Sequence, residues 1–279
     1  MNNSVEAIGV FGPGSGALTI THVLAEILPE SRILHFSDVR NAPYGMKDFD
    51  DVKTYVQEGI RFLKRKGCSI VILGCNTSSI HAPFLRAEEQ ESNFHIVSLI
   101  DITLNYFLSQ KFAEPLLILG TQATVSSDLY RKRIQEKMPK LSIHQDTLVS
   151  LPALIDAGAP PEEVLPVIRE NLMRIKKEYS LINTVALCCT HYPICAPLIE
   201  SACREVFGTQ VQILQQAPAL IAWAQAAQLT SSSGHLDNKS RASVELFLNQ
   251  ESSRIRNIAA QLFQPSIGFT FHTQRESAR

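Results

Sequence analysis

The chain has 279 residues, of which 45% are hydrophobic and 19% are charged, so it can fill a globular core and is not a disordered segment. Its formal net charge of −1 gives no electrostatic basis for binding nucleic acid or an anionic membrane surface. No apolar run approaches the roughly 20 residues that span a bilayer, and residues 1–6 lack the features of a secretory signal. A cytoplasmic protein is therefore expected.

The first half of the chain alternates strand-like and helix-like segments. The sequence predicts strands at 7–11, 32–36 and 70–73, and helices at 18–28 and 49–66. Apolar residues of the second helix recur at close to the 3.6-residue helical period, and Gly67 fits its C-cap. Helix-length connections between strands favour a parallel sheet that is covered on both faces.

The second half repeats this order. The sequence predicts strands at 115–119, 141–145 and 184–188, and helices at 127–137 and 161–179. The fold class is therefore α/β, with two similar domains, each a parallel sheet flanked by helices, related by a pseudo-twofold axis. We expect residues 1–98 plus 207–279 to form the first domain and residues 99–206 the second. After a polar joint at 231–234, helices are expected at 240–249 and 253–263, followed by an irregular tail.

Two cysteines, Cys75 and Cys189, each follow an apolar strand-like run and precede small polar residues. Ligands of parallel sheets bind beyond the carboxyl ends of the strands, so both thiols are expected in one cleft between the domains. A protonated thiol is an acid and a thiolate is a base, so a matched pair suggests proton transfer on both sides of one atom, the chemistry of a racemase. The alternative is that such a cysteine is a small buried hydrophobe.

The other four cysteines are expected to pack in the core; they are Cys68, Cys188, Cys195 and Cys203. A disulfide framework is not typical of a chain of this length without a secretion signal. Two separated Cys-x-x-Cys pairs are missing, so the spacing does not favour structural zinc either.

Several short blocks, taken in order, are similar to one known family. They are Gly9-Val10-Phe11 with Gly14 and Gly16-Ala17-Leu18-Thr19, Ala42-Pro43-Tyr44-Gly45, Cys75-Asn76-Thr77-Ser78, Gly120-Thr121 with Thr124, and Cys189-Thr190-His191-Tyr192-Pro193. Over roughly residues 7–215 the chain resembles the cofactor-independent glutamate racemases of the aspartate/glutamate racemase superfamily. The resemblance implies that no cofactor or metal is used, that the substrate is glutamate and that the protein is a homodimer. It also implies a cytoplasmic role in supplying D-glutamate for the peptidoglycan of a bacterial cell wall.

The resemblance also assigns roles to residues. Cys75 and Cys189 would flank the α-carbon, one removing a proton as a thiolate and the other returning a proton to the opposite face. His191 would assist Cys189, because a nearby imidazolium favours the thiolate. The substrate-binding residues implied by the blocks are Tyr44, Gly45, Asn76, Thr77, Thr121 and Thr190. Asp156 aligns with an acidic residue of the family near Cys189, and its alternative role is a helix or turn cap.

The chain departs from the family pattern at two places. Gly12-Pro13 stands where the family usually has Asp-Ser, so Cys75 lacks its expected carboxylate helper and the site for the substrate ammonium is weakened. Gln215-Gln216 stands where a second Asp-Ser is common. Two alternatives follow from these changes. One is an aspartate or broad-specificity racemase, and the other is a catalytically silent relative that binds a ligand on the retained scaffold.

Overall fold

Two parallel β-sheets, each covered by helices, form the computed structural model, which describes residues 7–85, 89, 94–230, 242–264 and 267–273. The strands are β1 (Ile8–Gly12), β2 (Arg32–Ser37), β3 (Ile70–Leu73), β4 (His95–Ser98), β5 (Leu116–Gly120), β6 (Ile143–Thr147), β7 (Thr184–Leu187), β8 (Gln212–Leu214), β9 (Ser243–Leu248) and β10 (Phe269–Thr273). The first sheet has the order β10-β9-β2-β1-β3-β4, and the second has the order β6-β5-β7-β8. Every strand pair is parallel.

Helices connect the strands and cover the sheets. They are α1 (Gly16–Ile27), α2 (Phe49–Arg65), α3 (Asn76–Ser79), α4 (Leu99–Ser109), α5 (Gln122–Ser127), α6 (Leu129–Lys137), α7 (Leu151–Ala157), α8 (Pro161–Glu178), α9 (Ala196–Phe207), α10 (Ala217–Ala226) and α11 (Ser253–Phe263). Short 3-10 helices span Tyr44–Met46, Ala82–Phe84 and Tyr192–Cys195. In the part of the chain that the structure describes, no helix has both the length and the apolar character needed to cross a membrane.

Local sequence signals explain the ends of α2. Its first turn carries Asp50 and Asp51 and its last turn carries Lys64 and Arg65, an arrangement that the helix dipole favours. The C-cap residue is Lys66, one residue before the predicted Gly67. Gly67 follows it with a φ of +90°, a backbone conformation that glycine adopts without steric cost and that ends the helix.

Each sheet buries apolar side chains on both faces. In β1, Val10 lies in the core beneath α1 and α11, and Phe11 lies in the core beneath α2 on the opposite face. In β5, Leu117 and Ile118 divide between two separate cores in the same way. Burial on both faces explains why these strands are continuous apolar runs rather than alternating patterns.

The two sheets share one strand order. In the first sheet, β2-β1-β3-β4 corresponds to β6-β5-β7-β8 of the second, and β9 and β10 extend one edge of the first sheet. The predicted fold class, two α/β units with a pseudo-twofold relationship, is confirmed. The domain division at residues 98/99 and 206/207 stays a prediction. One observation bears on it: β8 pairs with β7, so this strand lies in the second sheet although it follows residue 207.

The helix predicted at 240–249 is wrong, because Ser243–Leu248 is the strand β9, which lies between β2 and β10. Val244, Leu246 and Leu248 face one core, and Phe247 faces the other. The tail expected to be irregular contains the strand β10. The helix predicted at 253–263 is confirmed as α11. The polar joint expected at 231–234 lies outside the described residues.

Candidate active site

The carboxyl ends of the two sheets face each other across a narrow cleft. A Cβ built on Gly16, at the start of α1, would lie 2.8 Å from both the Nδ1 atom of His191 and the Oγ1 atom of Thr190. The Oγ1 atom of Thr19 also lies 3.2 Å from the backbone carbonyl oxygen of Thr190. Position 16 therefore accepts only glycine, because the first residue of α1, in the first sheet's half, lies against the loop that follows β7 of the second sheet.

Cys75 and Cys189 both lie at this cleft. Cys75 is partly exposed and directly precedes α3, and Cys189 follows β7 by two residues and is buried. Burial raises the pKa of the Cys75 thiol. The backbone N–H and hydroxyl of Ser78 and the charge of His191 act in the opposite direction, and the charge of Cys189 raises the pKa further. The two thiols thus share one electrostatic environment.

His191 lies between Cys189 and Asp156. Its Nδ1 atom is 3.7 Å from the Sγ atom of Cys189, and its Nε2 atom is 3.2 Å from an oxygen of Asp156. Burial acts to lower the pKa of His191, but the contacts with Asp156 and Cys189 outweigh it and raise the pKa to about 10. The imidazole is therefore a cation at neutral pH, which favours the thiolate form of a neighbouring cysteine.

Asp156 lies near the end of α7 and does not cap that helix. Its Oδ1 atom accepts a hydrogen bond from the hydroxyl of Ser15 and lies 3.5 Å from the Nε atom of Arg254. Burial acts to raise the pKa of Asp156, but His191, Ser15 and Arg254 together lower it below its usual value. The carboxylate is ionised and serves as the anionic partner of His191.

Three of the predicted binding residues, Gly45, Thr77 and Thr121, lie close together at the cleft. The hydroxyls of Thr77 and Thr121 are 2.9 Å apart, and a Cβ on Gly45 would lie 3.7 Å from the Cβ of Thr121. Tyr44 is buried and its hydroxyl donates a hydrogen bond of 2.5 Å to Asp38. The hydroxyl of Tyr44 therefore already donates its proton to Asp38, a residue on the same half of the molecule.

The side chain of Asn76 is also engaged. It donates a hydrogen bond of 2.9 Å to the side chain of Gln216, and its oxygen accepts hydrogen bonds from Gln216 and from the hydroxyl of Tyr130. Gln216 also donates to Thr103. Asn76 and Gln216 are both nearly fully buried, so these hydrogen bonds hold the Asn76 amide and the start of α3 in place.

The remaining cysteines are buried, as predicted from the sequence. Burial raises the pKa of each to about 12, so these thiols are protonated at neutral pH; they are Cys68, Cys188, Cys195 and Cys203. Among the described residues, no group of three or more His, Cys, Asp and Glu side chains is arranged to hold a metal ion. The use of no cofactor stays an expectation.

Sequence reasoning missed three participants at this cleft. Ser15 is one serine in a glycine-rich turn, and Arg254 is one of several basic residues in a C-terminal segment without a recognisable motif. Gln216 was noticeable only as a departure from the family pattern. No spacing connects these residues to the cysteines, because their contacts span the distance between the two sheets.

Comparison with known proteins identifies the family. A model of the family described as Asp/Glu/Hydantoin racemase matches residues 8–224. A protein named glutamate racemase 3 from Caldanaerobacter subterraneus is 32% identical over 219 residues, covering 76% of this chain and 75% of the relative.

Solved structures share the fold. The structure of glutamate racemase from Francisella tularensis in complex with D-glutamate matches with a TM-score of 0.79 at 20% identity, covering 99% of this chain and 100% of that one. A glutamate racemase isoform from Bacillus anthracis matches with a TM-score of 0.79 at 23% identity, covering 97% and 98%. The predicted resemblance and the predicted enzyme class, an isomerase of the racemase type, are confirmed. The chain belongs to the Asp/Glu/Hydantoin racemase family.

Proposed function

We propose that this protein interconverts L- and D-glutamate by proton transfer between Cys75, Cys189 and the α-carbon of the substrate. The position of His191 carries the proposal, because it places a cationic, partly buried imidazole 3.7 Å from Cys189, at the same cleft as the Cys75 thiol. Relatives named glutamate racemase support the choice of glutamate as substrate.

The two thiols differ in the resting enzyme. We assign Cys189 as the base, because the Nδ1 atom of His191 lies 3.7 Å from its Sγ atom, and Cys75 as the acid, because burial raises the pKa of its thiol. The Cys189 thiolate takes the α-proton from one face, and the Cys75 thiol gives its proton to the opposite face. Turnover leaves Cys75 as the thiolate and Cys189 as the thiol, which is the arrangement that accepts the opposite enantiomer.

The α-hydrogen of an amino acid is a weak acid, so its removal requires good stabilisation of the neighbouring carboxylate. We assign this role to the hydroxyls of Thr77, Thr121 and Thr190 and to the backbone N–H of Asn76. Tyr44 and Gly45 complete the wall beside Thr121, where Tyr44 acts through its position and backbone, since its hydroxyl is engaged by Asp38.

Heavy-water exchange tests the proposal. The protein is incubated in heavy water with each enantiomer of glutamate and of aspartate, while exchange at the α-carbon is followed by NMR and inversion by circular dichroism. We expect exchange and inversion with both glutamate enantiomers. Inversion of aspartate alone would favour the aspartate racemase that the Gly12-Pro13 change admits. No exchange with any of the four, from folded protein, would favour the silent binding protein.

Cysteine variants test the mechanism. Cys75→Ser and Cys189→Ser should each lower the rate of inversion by a factor on the order of 10²–10⁴, the usual contribution of a positioned acid or base. Cys203→Ser is the matched control. This buried cysteine lies on α9, in the core between that helix and the second sheet, so the variant should invert glutamate at the wild-type rate. Inversion retained in both active-site variants would rule out the two-thiol mechanism.

The resemblance also supports three statements about the cellular setting, which we include in the proposal. The protein acts in the cytoplasm, supplies D-glutamate for peptidoglycan, and works as a homodimer. Light scattering over a range of protein concentrations tests the dimer. Restoration of growth in a bacterial strain that depends on external D-glutamate tests the supply role, and a Cys75→Ser variant is the control.

A further inference from the structure

The C-terminal segment brings a guanidinium group to the candidate active site. Arg254 lies in the first turn of α11, a helix that packs on the first sheet's half of the molecule. Its Nε atom lies 3.5 Å from Oδ1 of Asp156, and its Nη2 atom donates a hydrogen bond to the carbonyl oxygen of Ile155. One side chain thus holds both the backbone and the carboxylate at the end of α7, in the other half of the molecule.

Asp156 is restrained from three directions. The hydroxyl of Ser15 approaches from the turn before α1, His191 from the loop after β7, and Arg254 from α11. The side chain of Asp156 is about one-third exposed and that of Arg254 somewhat less, so water competes only partly with these contacts. All three contacts are made by Oδ1, so Ser15 and Arg254 hold the oxygen that faces His191.

We propose that Arg254 is a positioning residue, which holds the Asp156 carboxylate against His191 and so keeps His191 protonated beside Cys189. The inference rests on the proposed two-thiol function and deepens it. The titratable groups that face His191 are Cys189, Cys75 and Asp156, and Arg254 acts on His191 through Asp156. Without Arg254, the carboxylate loses one of its restraints and pairs less well with the imidazolium.

The pH dependence of racemisation tests this role. In Arg254→Met, the alkaline limb of kcat/KM should move to lower pH by about half a unit to one unit, because His191 loses its proton more readily when its anionic partner is weakened. Arg254→Lys keeps the charge and should restore the position of the limb. A merely structural role would lower kcat/KM evenly at every pH.

Arg256→Met is the matched control. Arg256 lies on the same helix and pairs with Glu251 on the surface, away from the cleft, so the same chemical change there should leave the limb in place. Arg254→Gln is a second variant in case Arg254→Met does not fold, and it should shift the limb in the same direction. An unshifted limb in folded Arg254→Met and Arg254→Gln, or an equal shift in Arg256→Met, would overturn the proposal.

A titration that needs no activity separates this proposal from the proposed function. The ring carbons of labelled histidine are followed by NMR, and His191 is assigned from the signal missing in His191→Gln. The pKa of His191 should be lower in Arg254→Met than in the wild type and unchanged in Arg254→Lys. If the His191 pKa differs in this way between the wild type and Arg254→Met, but the wild type racemises nothing, only the proposed function is contradicted. If the His191 pKa is the same in both proteins, the role of Arg254 is contradicted.

Discussion

Gly12 lies directly against Ala17: a Cβ built on Gly12 would be 2.3 Å from the Cβ of Ala17. The carboxylate that the family has at this position is therefore excluded by the start of α1, as well as being absent from the sequence. Gly12 and Ala17 thus form one close packing contact at the start of α1.

Restoring the family residue should therefore harm the fold. Gly12→Ala should lower the free energy of unfolding by about 1–3 kcal/mol, the usual cost of overpacking, and Gly12→Asp should cost more because it also buries a charge. Gly12→Asp combined with Ala17→Gly should recover part of the loss. Urea unfolding measures all three, with Gly14→Ala as the control, since a Cβ there makes ordinary contact at 3.6 Å from Asp156. Wild-type stability in Gly12→Asp would contradict this explanation.

We expect Ser78 to supply part of the effect that the absent carboxylate would have on Cys75. Its hydroxyl is buried, has no hydrogen bond of normal geometry to any other described group, and lowers the pKa of Cys75 together with its backbone N–H. Ser78→Ala should raise the pKa of Cys75. In a Cys189→Ser background, the alkylation rate of Cys75 should then reach half of its maximum at a higher pH. Stability should change little, because this hydroxyl has no other hydrogen-bond partner among the described residues.

Ser79→Ala is the matched control for this prediction. The hydroxyl of Ser79 bonds to the backbone at Leu73 and Leu99, so its loss should destabilise the protein. It should leave the alkylation midpoint of Cys75 unchanged. The opposite pattern, a shifted midpoint only in Ser79→Ala, would show that helix position rather than the Ser78 hydroxyl sets the pKa.

Gln216 should be important for stability. Gln216→Ala removes one hydrogen-bond partner from each of the buried side chains of Asn76 and Thr103, so the free energy of unfolding should fall by about 1–3 kcal/mol. Racemisation should fall as well, because Asn76 begins α3 beside Cys75. Gln215→Ala is the control: this neighbouring side chain bonds to Glu200 nearer the surface, and its loss should cost less than about 1 kcal/mol. Equal losses in the two variants would contradict the prediction.

Stability should depend on pH through His191. The pKa of this group is raised from 6.5 to about 10 in the folded protein, so its contribution is fully present below pH 6.5 and is lost as the pH rises to about 10. The difference in free energy of unfolding between wild type and His191→Gln should therefore shrink by a few kcal/mol across this range. Urea unfolding at several pH values measures it. A constant difference would show that His191 is not held as a cation.

Much of the architecture follows from local sequence. The apolar runs that end at Leu73 and Leu187 predict buried parallel strands, and the polar residues after each cysteine predict the functional edge. Strand β9 shows the limit of such reasoning. Its glutamate and two leucine residues are compatible with a helix, and only pairing with β2 and β10 selects the extended form, because strand preference depends on neighbours.

The sequence by itself determined the two thiols, their place at strand ends and the imidazole two residues after Cys189. The tertiary structure alone decided which groups control them. Asp156 meets Ser15, Arg254 meets the backbone of Ile155, and Asn76 meets Gln216, across sequence separations of 141, 99 and 140 residues respectively. Periodicity and motif spacing report only neighbours along the chain. The pKa values of Cys75, His191 and Asp156 depend on contacts between the carboxyl ends of the two sheets, and no local sequence pattern encodes those contacts.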